Sequence, residues 1–354
     1  MLEHSGPAGG TPSTATAPAA PPLRLAELRF ADLYLSADPA IPPLLSHLRR
    51  AGGARGPERG SERGGHLSRL PETVGPDLAQ LAARLDALAD HEAEFGLVHD
   101  GVAYRCARIG APRASRAEGG AQGWVIRQIS ADRWELGDLG LPDWLQAELL
   151  RLGPRGGLLL VVGPFASGKT TTASACLRDW VATHGGIGVT LEDPPERQIA
   201  GFHDAGAIYQ IPIAAGQIAE AVRLSRRWAY RYALIGEVRS HEIAAETLQL
   251  ALSGAMVVTT IHGLGPIEGL MAFARFAAAP DEPRGPNDRI AASVVGVLHQ
   301  VLLRDRIEVR YLSFVGRNAA AMRTKIVNAQ FHLLGDDLEH QTRLRELGRV
   351  AESF

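Results

Sequence analysis

The chain has 354 residues, of which 45% are hydrophobic, and this is enough for two or three domains with substantial cores. Its formal net charge of −2 at pH 7 excludes a global attraction to nucleic acid or to an anionic membrane, and we expect no stable binding of nucleic acid. The two cysteines, Cys106 and Cys176, lack metal-ligand spacing, no apolar run approaches transmembrane length, and no signal-peptide pattern opens the chain, so we expect a cytoplasmic protein.

The chain begins with a segment, residues 1–22, that is rich in Ala, Pro, Gly, Ser and Thr and is predicted to be a disordered tail. Alternating apolar residues predict a strand over 30–37, and residues 42–50 are predicted to form a short helix. Residues 51–66 combine glycines with arginines, which breaks any periodic pattern. We interpret this stretch as a solvated, flexible loop, and a basic contact for lipid or nucleic acid is the alternative.

A small α+β domain is predicted over residues 23–137, including the Gly/Arg-rich loop. Leucines at helical spacing predict a surface helix over 76–90. Strands are predicted to follow at 95–98, 102–109 and 123–129. Glycines and a proline then mark the connection into the rest of the chain.

The second predicted domain, residues 138–354, is organised around a glycine-rich loop. Apolar residues 158–162 run into Gly-x-x-x-x-Gly-Lys-Thr, and a helix-compatible stretch follows, which is the context of a phosphate-binding P-loop rather than of a chance glycine turn. The glycines let N–H groups point at phosphate oxygens, the lysine opposes the β- and γ-phosphates, and the threonine hydroxyl binds Mg²⁺. The predicted nucleotide-binding residues are Gly163, Pro164, Phe165, Ala166, Ser167, Gly168, Lys169, Thr170 and Thr171.

Buried strands are predicted to alternate with helices after this loop, at 185–192, 232–237 and 256–262. Such alternation implies a parallel sheet that is covered on both faces, and ligands bind beyond the carboxyl ends of the strands of such sheets. An amphipathic helix over 288–303, a strand over 307–315 and two terminal helices complete the prediction.

Three polar residues stand at predicted strand ends near the P-loop, which favours hydrolysis over simple nucleotide storage. Glu237 is the candidate that orients or deprotonates the attacking water and, with Thr170, binds the metal; the alternative is a structural partner for Arg239. Glu192 is a candidate to assist with water or metal, or else a turn carboxylate before two prolines. His262 is a candidate sensor of the γ-phosphate, or else a structural histidine.

Four blocks in this order resemble the secretion-type traffic ATPases of type IV pilus, type II and type IV secretion systems. Residues 163–170 are similar to their Walker A motif, 190–196 to their aspartate box, 234–239 to their Walker B motif, and 259–262 to their histidine box. Residues 31–36 look like the strand that opens their N-terminal domain. The short N-terminal domain is most similar to those of the pilus-retraction ATPases and of the Dot/Icm-type and conjugative secretion ATPases.

The resemblance implies an α/β fold, in which a RecA-like P-loop NTPase domain with a parallel sheet follows a small α+β, PAS-like domain. It implies a homohexamer at the cytoplasmic face of the inner membrane, with membrane platform proteins as partners and ATP and Mg²⁺ as cofactors. By motif position, Arg127 of the N-terminal domain reaches the nucleotide, and Arg105 and Arg108 are further candidates. The chain departs from the family at Ala255 and Tyr34, where the family has histidines.

The function predicted from the sequence is Mg²⁺-dependent ATP hydrolysis by a hexameric motor that powers protein secretion, conjugative transfer or pilus dynamics. Two alternatives remain open at this point. One is a P-loop kinase for a small acceptor, and the other is an assembly subunit that binds ATP without hydrolysing it.

Overall fold

Two larger sheets organise the described chain. The predicted tail, residues 1–22, and the predicted loop, residues 51–66, lie outside the described residues. The computed structural model describes residues 23–30, 32–36, 40–46, 49–50, 67–70, 72–88, 94–109, 123–129, 134–214, 216–279, 285–303 and 306–349.

The N-terminal part of the described chain combines an antiparallel sheet with one long helix. Its elements are β1 (Leu28–Arg29), β2 (Asp32–Ser36), β3 (Leu44–Ser46), β4 (Arg49–Arg50), β5 (Leu67–Arg69), α1 (Gly75–Leu88), β6 (Glu94–His99), β7 (Val102–Ile109) and β8 (Gly123–Gln128). Among these described strands, the sheet has the order β5-β3-β2-β8-β7-β6, and β1 pairs with β4 separately.

One face of this sheet is apolar and the other is polar. Leu81 and Leu85, four residues apart on α1, are fully buried in one cluster with Tyr104 and Cys106 of β7. Burying such a leucine contributes about 1.5–3 kcal/mol. Because side chains alternate along a strand, Arg105 of β7 is on the opposite face.

The prediction of a short helix over 42–50 is wrong, because the structure places β3 there. Leu45 is fully buried in the N-terminal core, and β3 pairs with β2 on one side and β5 on the other. A helix of that length is marginal by itself, whereas pairing with two strands satisfies the backbone of β3 and buries its leucine.

The C-terminal part of the described chain is built on a mostly parallel sheet. Its strands are β9 (Gly157–Gly163), β10 (Gly186–Glu192), β11 (Gly201–His203), β12 (Gly206–Pro212), β13 (Tyr232–Glu237), β14 (Met256–His262), β15 (Val294–Leu302) and β16 (Ile307–Ser313). Its helices are α2 (Asp143–Leu152), α3 (Lys169–His184), α4 (Ile218–Ser225), α5 (His241–Leu252), α6 (Pro266–Ala277), α7 (Asn287–Ser293), α8 (Ala319–Val327) and α9 (Leu334–Glu346).

The strand order in the described part of this sheet is β11-β12-β10-β13-β14-β9-β15-β16. The strands from β12 to β15 in this order pair in parallel, and β11 and β16 add antiparallel edges. Every residue of β9 is buried, since α3 packs in the cluster on one face and α5 and α6 pack in the cluster on the other. Continuous apolar strands are the expected consequence of burial on both faces.

The prediction of a helix over 288–303 holds only up to residue 293 and is wrong for the rest. The structure has the short helix α7 and then β15, which lies between β9 and β16. Both faces of β15 are buried, so its apolar residues are nearly continuous and their spacing also fits a helix. A β carbon at Gly296 would lie 2.5 Å from the Tyr311 hydroxyl oxygen, so this glycine lets the ring pack across the strand.

Other predictions are confirmed in detail. Helix α5 begins after Ser240, whose hydroxyl oxygen accepts a hydrogen bond from the backbone N–H of Ile243, and Gly254 follows its end with φ 100°. The strand predicted over 102–109 matches β7 in both bounds.

The sequence does not predict three further parts of the fold, which are α2, α6 and the β11–β12 hairpin. None of the described helices is both long enough and apolar enough to cross a membrane.

Candidate nucleotide-binding site

The glycine-rich loop joins the buried β9 to the first turn of α3. Gly168 precedes α3 in the left-handed region, with φ 84°, which favours glycine. A β carbon at Gly163 would lie 2.4 Å from the backbone oxygen of Gln300 and 2.5 Å from the Ser167 hydroxyl oxygen. Both glycines of the motif are therefore required by the backbone of this loop.

Lys169 is buried, and its Nζ donates hydrogen bonds to the carbonyl oxygens of Gly163 at 3.2 Å and Pro164 at 2.8 Å. Burial lowers the pKa of Lys169, and the charges of Glu237 and Glu196 oppose this shift. The ammonium group is thus held within the loop and has acidic groups nearby. An ammonium group together with the backbone N–H groups of a glycine-rich loop supplies the hydrogen-bond donors that phosphate oxygens need.

Three parallel strands bring their carboxyl ends to this loop. His262, the last residue of β14, pairs with Gly163 at the end of β9, and Glu237 of β13 pairs with Thr260 of β14. Nδ1 of His262 lies 3.5 Å from Nζ of Lys169, and Nε2 of His262 lies 2.8 Å from Oε1 of Glu237. The structure therefore brings these three predicted site residues together in a row.

Glu237 has a second partner on its other oxygen. Nε of Arg239 donates to Oε2 of Glu237 at 2.6 Å, and the Arg239 side chain is 63% exposed. The sequence offers Glu237 as the group that acts on water or as a structural partner of Arg239. The structure pairs one carboxylate oxygen with Arg239 and places the other next to His262. The paired Oε2 fixes the orientation of Oε1.

Glu192, at the end of β10, is buried next to the same row. A β carbon at Gly236, the residue before Glu237, would lie 3.7 Å from Cγ of Glu192. Nε2 of Gln210 donates to Oε1 of Glu192 at 3.2 Å. Burial raises the pKa of Glu192 to about 7. A carboxyl group with a pKa near 7 suits proton transfer at neutral pH.

The Phe165 side chain lies exposed on the loop. It is 80% exposed, and its ring stacks on the His262 ring with 6.3 Å between the centroids and 15° between the planes. The imidazole of His262 is therefore framed by Phe165, Lys169 and Glu237.

The arginines predicted from the N-terminal part are on both faces of its sheet. Arg105 of β7 and Arg127 of β8 are directly opposite each other and share a face, whereas Arg108 has the other parity on β7 and is on the opposite face. Nε of Arg127 donates to Oδ1 of Asp32 at 2.8 Å, which raises the pKa of Arg127. Nη1 of Arg105 lies 3.7 Å from Oε1 of Glu196, beyond β10.

The sequence predicts that Thr170 and Glu237 bind the metal. No group of three or more His, Cys, Asp or Glu that could hold a metal ion occurs among the residues that the structure describes. Mg²⁺ typically takes only one or two protein oxygens and fills its remaining positions with phosphate oxygens and water. The hydroxyl group of Thr170 beside the phosphate loop and the carboxylate of Glu237, at a strand end two strands away from β9, are oxygen ligands of that kind.

Residues outside the motifs also build the site. Gln300 of β15 is fully buried, and its Nε2 donates to the carbonyl oxygen of Ser167 at 2.7 Å. Nη2 of Arg197 donates to the Thr171 hydroxyl oxygen at 2.8 Å. The sequence reading missed Gln300 because a helix was predicted there. As a strand beside β9, the same segment would have placed Gln300 near the loop.

A buried strand, a glycine-rich loop and a lysine-bearing helix, at the carboxyl edge of a mostly parallel sheet, define the class of P-loop α/β proteins. A sequence model of the family described as type II/IV secretion system protein matches residues 119–330. The chain belongs to this family.

A curated relative agrees with this membership, and two solved structures share the fold. The chain is 32% identical over 235 residues to type II secretion system protein HxcR of Pseudomonas aeruginosa, which is 64% of this chain and 47% of that protein. The chain thus spans less than half the length of this relative. Among solved structures, it is similar in fold to the pilus retraction motor PilT with bound ADP (TM-score 0.66, 21% identity, 92% of this chain and 93% of that chain). It is also similar in fold to the ATPase DotB of Legionella pneumophila (TM-score 0.63, 18% identity, 90% of this chain and 88% of that chain).

Proposed function

We propose that this chain binds ATP with Mg²⁺ and hydrolyses the nucleotide. The row formed by Lys169, His262 and Glu237 beside the glycine-rich loop carries this proposal, because the row occurs in a chain of the type II/IV secretion family. Phosphoryl transfer to water requires a cation on the phosphates and a group that orients or deprotonates the water. Lys169 and Glu237 supply these two groups.

Each residue of the row has a distinct task in the proposed reaction. The backbone N–H groups of the loop and Nζ of Lys169 bind the phosphates. Oε1 of Glu237 accepts the proton of the attacking water, and its orientation is fixed by the bond from Arg239 to Oε2. Mg²⁺, when bound, supplies positive charge to the β- and γ-oxygens, and Thr170 and Glu237 would hold it.

Charge compensation from the N-terminal part belongs to the same proposal. Arg127 shares a polar face with Arg105, which already contacts Glu196 of the C-terminal part. A guanidinium delivered from there can contact two phosphate oxygens at once. We propose that Arg127 serves the nucleotide site of a neighbouring subunit in a homohexamer, where it would exchange its bond to Asp32 for the phosphates.

The proposed biological role is that of a motor in a secretion or pilus machine. The names of the relatives, which include type II secretion proteins and type IV pilus assembly ATPases, support this role. We propose a RecA-like ATPase domain over residues 138–354, and a PAS-like domain over residues 23–137. Attachment to platform proteins at the cytoplasmic face of the inner membrane, as a peripheral protein, completes the proposal.

Phosphate release by the purified chain, with ATP and Mg²⁺ and without any acceptor molecule, tests the proposal. We expect turnover by the unmodified chain and loss of both binding and turnover in Lys169→Ala, because the positive charge within the loop is removed. Lys325→Ala is the matched control, since that lysine pairs with Asp337 between α8 and α9. Turnover that needs an added acceptor would indicate a kinase instead, and binding without turnover in the assembled oligomer would indicate an assembly subunit.

A further inference from the structure

A short segment after β10, which we call the strap (residues 193–197), touches two parts of the molecule. Oε1 of Glu196 lies 3.7 Å from Nη1 of Arg105 in the N-terminal sheet. The next residue, Arg197, donates from Nη2 to the hydroxyl oxygen of Thr171 at 2.8 Å, in the first turn of α3. Adjacent residues of the strap thus contact the N-terminal sheet and the helix of the phosphate loop.

The strap is fastened to the sheet, so Arg197 is not a loosely held surface arginine. Nε2 of Gln210 on β12 donates to the carbonyl oxygen of Arg197 at 2.5 Å and to Oε1 of Glu192 at 3.2 Å. The same amide accepts, through Oε1, from the backbone N–H of Ile199 at 3.2 Å. Arg197 itself is half-buried. One glutamine side chain therefore holds the backbone at Arg197 and at Ile199.

Acidic groups surround the lysine of the loop beside which Arg197 lies. Glu237 and Glu196 both act on Lys169 electrostatically, so acidic groups offset the lysine charge within the loop. A nucleotide brings further negative charge to the same place. A second cation beside the loop compensates for these acidic groups, and a guanidinium can give phosphate a bidentate hydrogen bond.

We propose that Arg197 is a further nucleotide-binding residue, which contacts a phosphate that nucleoside diphosphates and triphosphates share. Nζ of Lys169 lies on the His262 side of the loop, and a P-loop lysine reaches the β- and γ-phosphates. Thr171 lies two residues further along α3, in the first turn of the helix whose N-terminus faces the α- and β-phosphates in a P-loop. This inference rests on the proposed function, because it uses the same nucleotide site.

Titration of ADP and ATP into Arg197→Gln tests the inference. The glutamine can still donate to Thr171 but carries no charge. We expect both nucleotides to bind about tenfold more weakly or worse, by the same factor, because both contain the α- and β-phosphates and a charge-assisted hydrogen bond is lost. Arg197→Lys should recover part of the affinity. Arg231→Gln is the matched control. Arg231 immediately precedes β13, at the amino ends of the parallel strands and thus opposite the loop, and it donates to the carbonyl oxygen of His184.

Unchanged affinities in Arg197→Gln, with or without a lower melting temperature, would overturn the inference and leave Arg197 as a fastener of the strap. Weaker binding of ATP alone would place the contact at the γ-phosphate and overturn it as well. A second measurement needs no variant: ADP should protect Arg197, but not Arg231, from an arginine-selective dicarbonyl reagent, as read by peptide mass spectrometry. Lack of protection would count against the inference. If the unmodified chain bound no nucleotide at all, the proposed function itself would fail.

Discussion

The two sheets of this molecule bring polar groups to the site in different ways. In the C-terminal sheet, β9 is buried along its whole length, and the acidic residues and the histidine of the site lie at strand ends. Glu192, Glu237 and His262 all occupy such ends. In the N-terminal sheet, β2 and β7 alternate between buried and more exposed residues, and Asp32, Arg105 and Arg127 project from one face.

This difference determines how a candidate residue can be recognised. In the C-terminal sheet, a candidate residue is a polar residue that follows a run of apolar residues, and this pattern is visible in the sequence itself. At the N-terminal sheet the question is which face a residue is on, and a shift of one position reverses the answer. Arg105 and Arg108, three residues apart on β7, are on opposite faces for this reason.

The largest expected effect tests the polar face of the N-terminal sheet. We expect Arg127→Ala to bind ATP but to lose on the order of 10³-fold in turnover, the scale of a lost arginine finger. Arg108→Ala is the comparison, because it removes the same charge from the other face of the sheet. Steady-state hydrolysis by the two variants gives the contrast.

A mixing experiment then decides whether Arg127 acts in a neighbouring subunit. Mixing Arg127→Ala with Lys169→Ala protein should restore part of the activity, because some interfaces then combine an intact Lys169 with an intact Arg127. Full activity of Arg127→Ala alone would remove Arg127 from the mechanism. An inactive mixture would restrict Arg127 to a role within its own chain.

The second effect tests the strand ends of the C-terminal sheet. Glu237→Gln should keep ATP binding and lose roughly 10²-fold in single-turnover hydrolysis, because the amide cannot accept the proton. Glu308→Gln, on the exposed edge strand β16, is the control for loss of a carboxylate that pairs with arginine. Near-normal hydrolysis by Glu237→Gln would shift the role of base to Glu192.

The third prediction concerns Gln300, which lies near the end of β15 and outside the sequence motifs. Gln300→Leu removes the hydrogen bond to the Ser167 carbonyl oxygen, and we expect about tenfold weaker ADP binding because the loop is less well held. Gln341→Leu is the matched control, since Gln341 is also buried and bonds the backbone of Ser313 far from the loop. Equal losses of stability with unequal losses of ADP affinity would confirm the role of Gln300. Equal ADP affinities would refute it.

Much of the C-terminal fold could be predicted from the sequence, because glycine-rich and strand-end patterns are local. The strand before the loop, the Ser240 cap of α5 and the polar end of β14 all follow from short stretches of sequence. Strand β15 could not be predicted, since a strand buried on both faces has no alternation and its apolar spacing also fits a helix. Gln300 was missed together with its strand.

The contacts of the strap could not be predicted for a different reason. The bond from Arg197 to Thr171 joins residues 26 positions apart, and its geometry depends on Gln210 of β12. The β11–β12 hairpin itself was not recognised, so no pattern in the sequence placed Gln210 beside Glu192. Long-range contacts of this kind follow from the packing of several elements and leave no periodic signal.

The smallest effect concerns the pH dependence of stability at Glu192, the most deeply placed of the acidic strand ends. Burial raises the pKa of Glu192 from its ordinary value of 4.5 to about 7. Between these two values the folded chain holds a proton that the unfolded chain has released, so its stability falls as the pH rises. The contribution of Glu192 is fully present below pH 4.5 and is lost as the pH rises through about 7.

Glu192→Gln removes this titration and can keep the hydrogen bond from Gln210, because the new amide oxygen still accepts. We expect the variant to melt close to the unmodified chain at pH 5 and a few degrees higher at pH 8, since about 1 kcal/mol moves the melting temperature of a domain of 150–250 residues by ~2–4 °C. Thermal melts across this range, compared with the exposed Glu308→Gln, isolate the effect. If the difference in melting temperature between the variant and the unmodified chain were the same at all pH values, Glu192 would ionise as an exposed carboxyl group does. Burial at the strand end would then have no effect on its pKa.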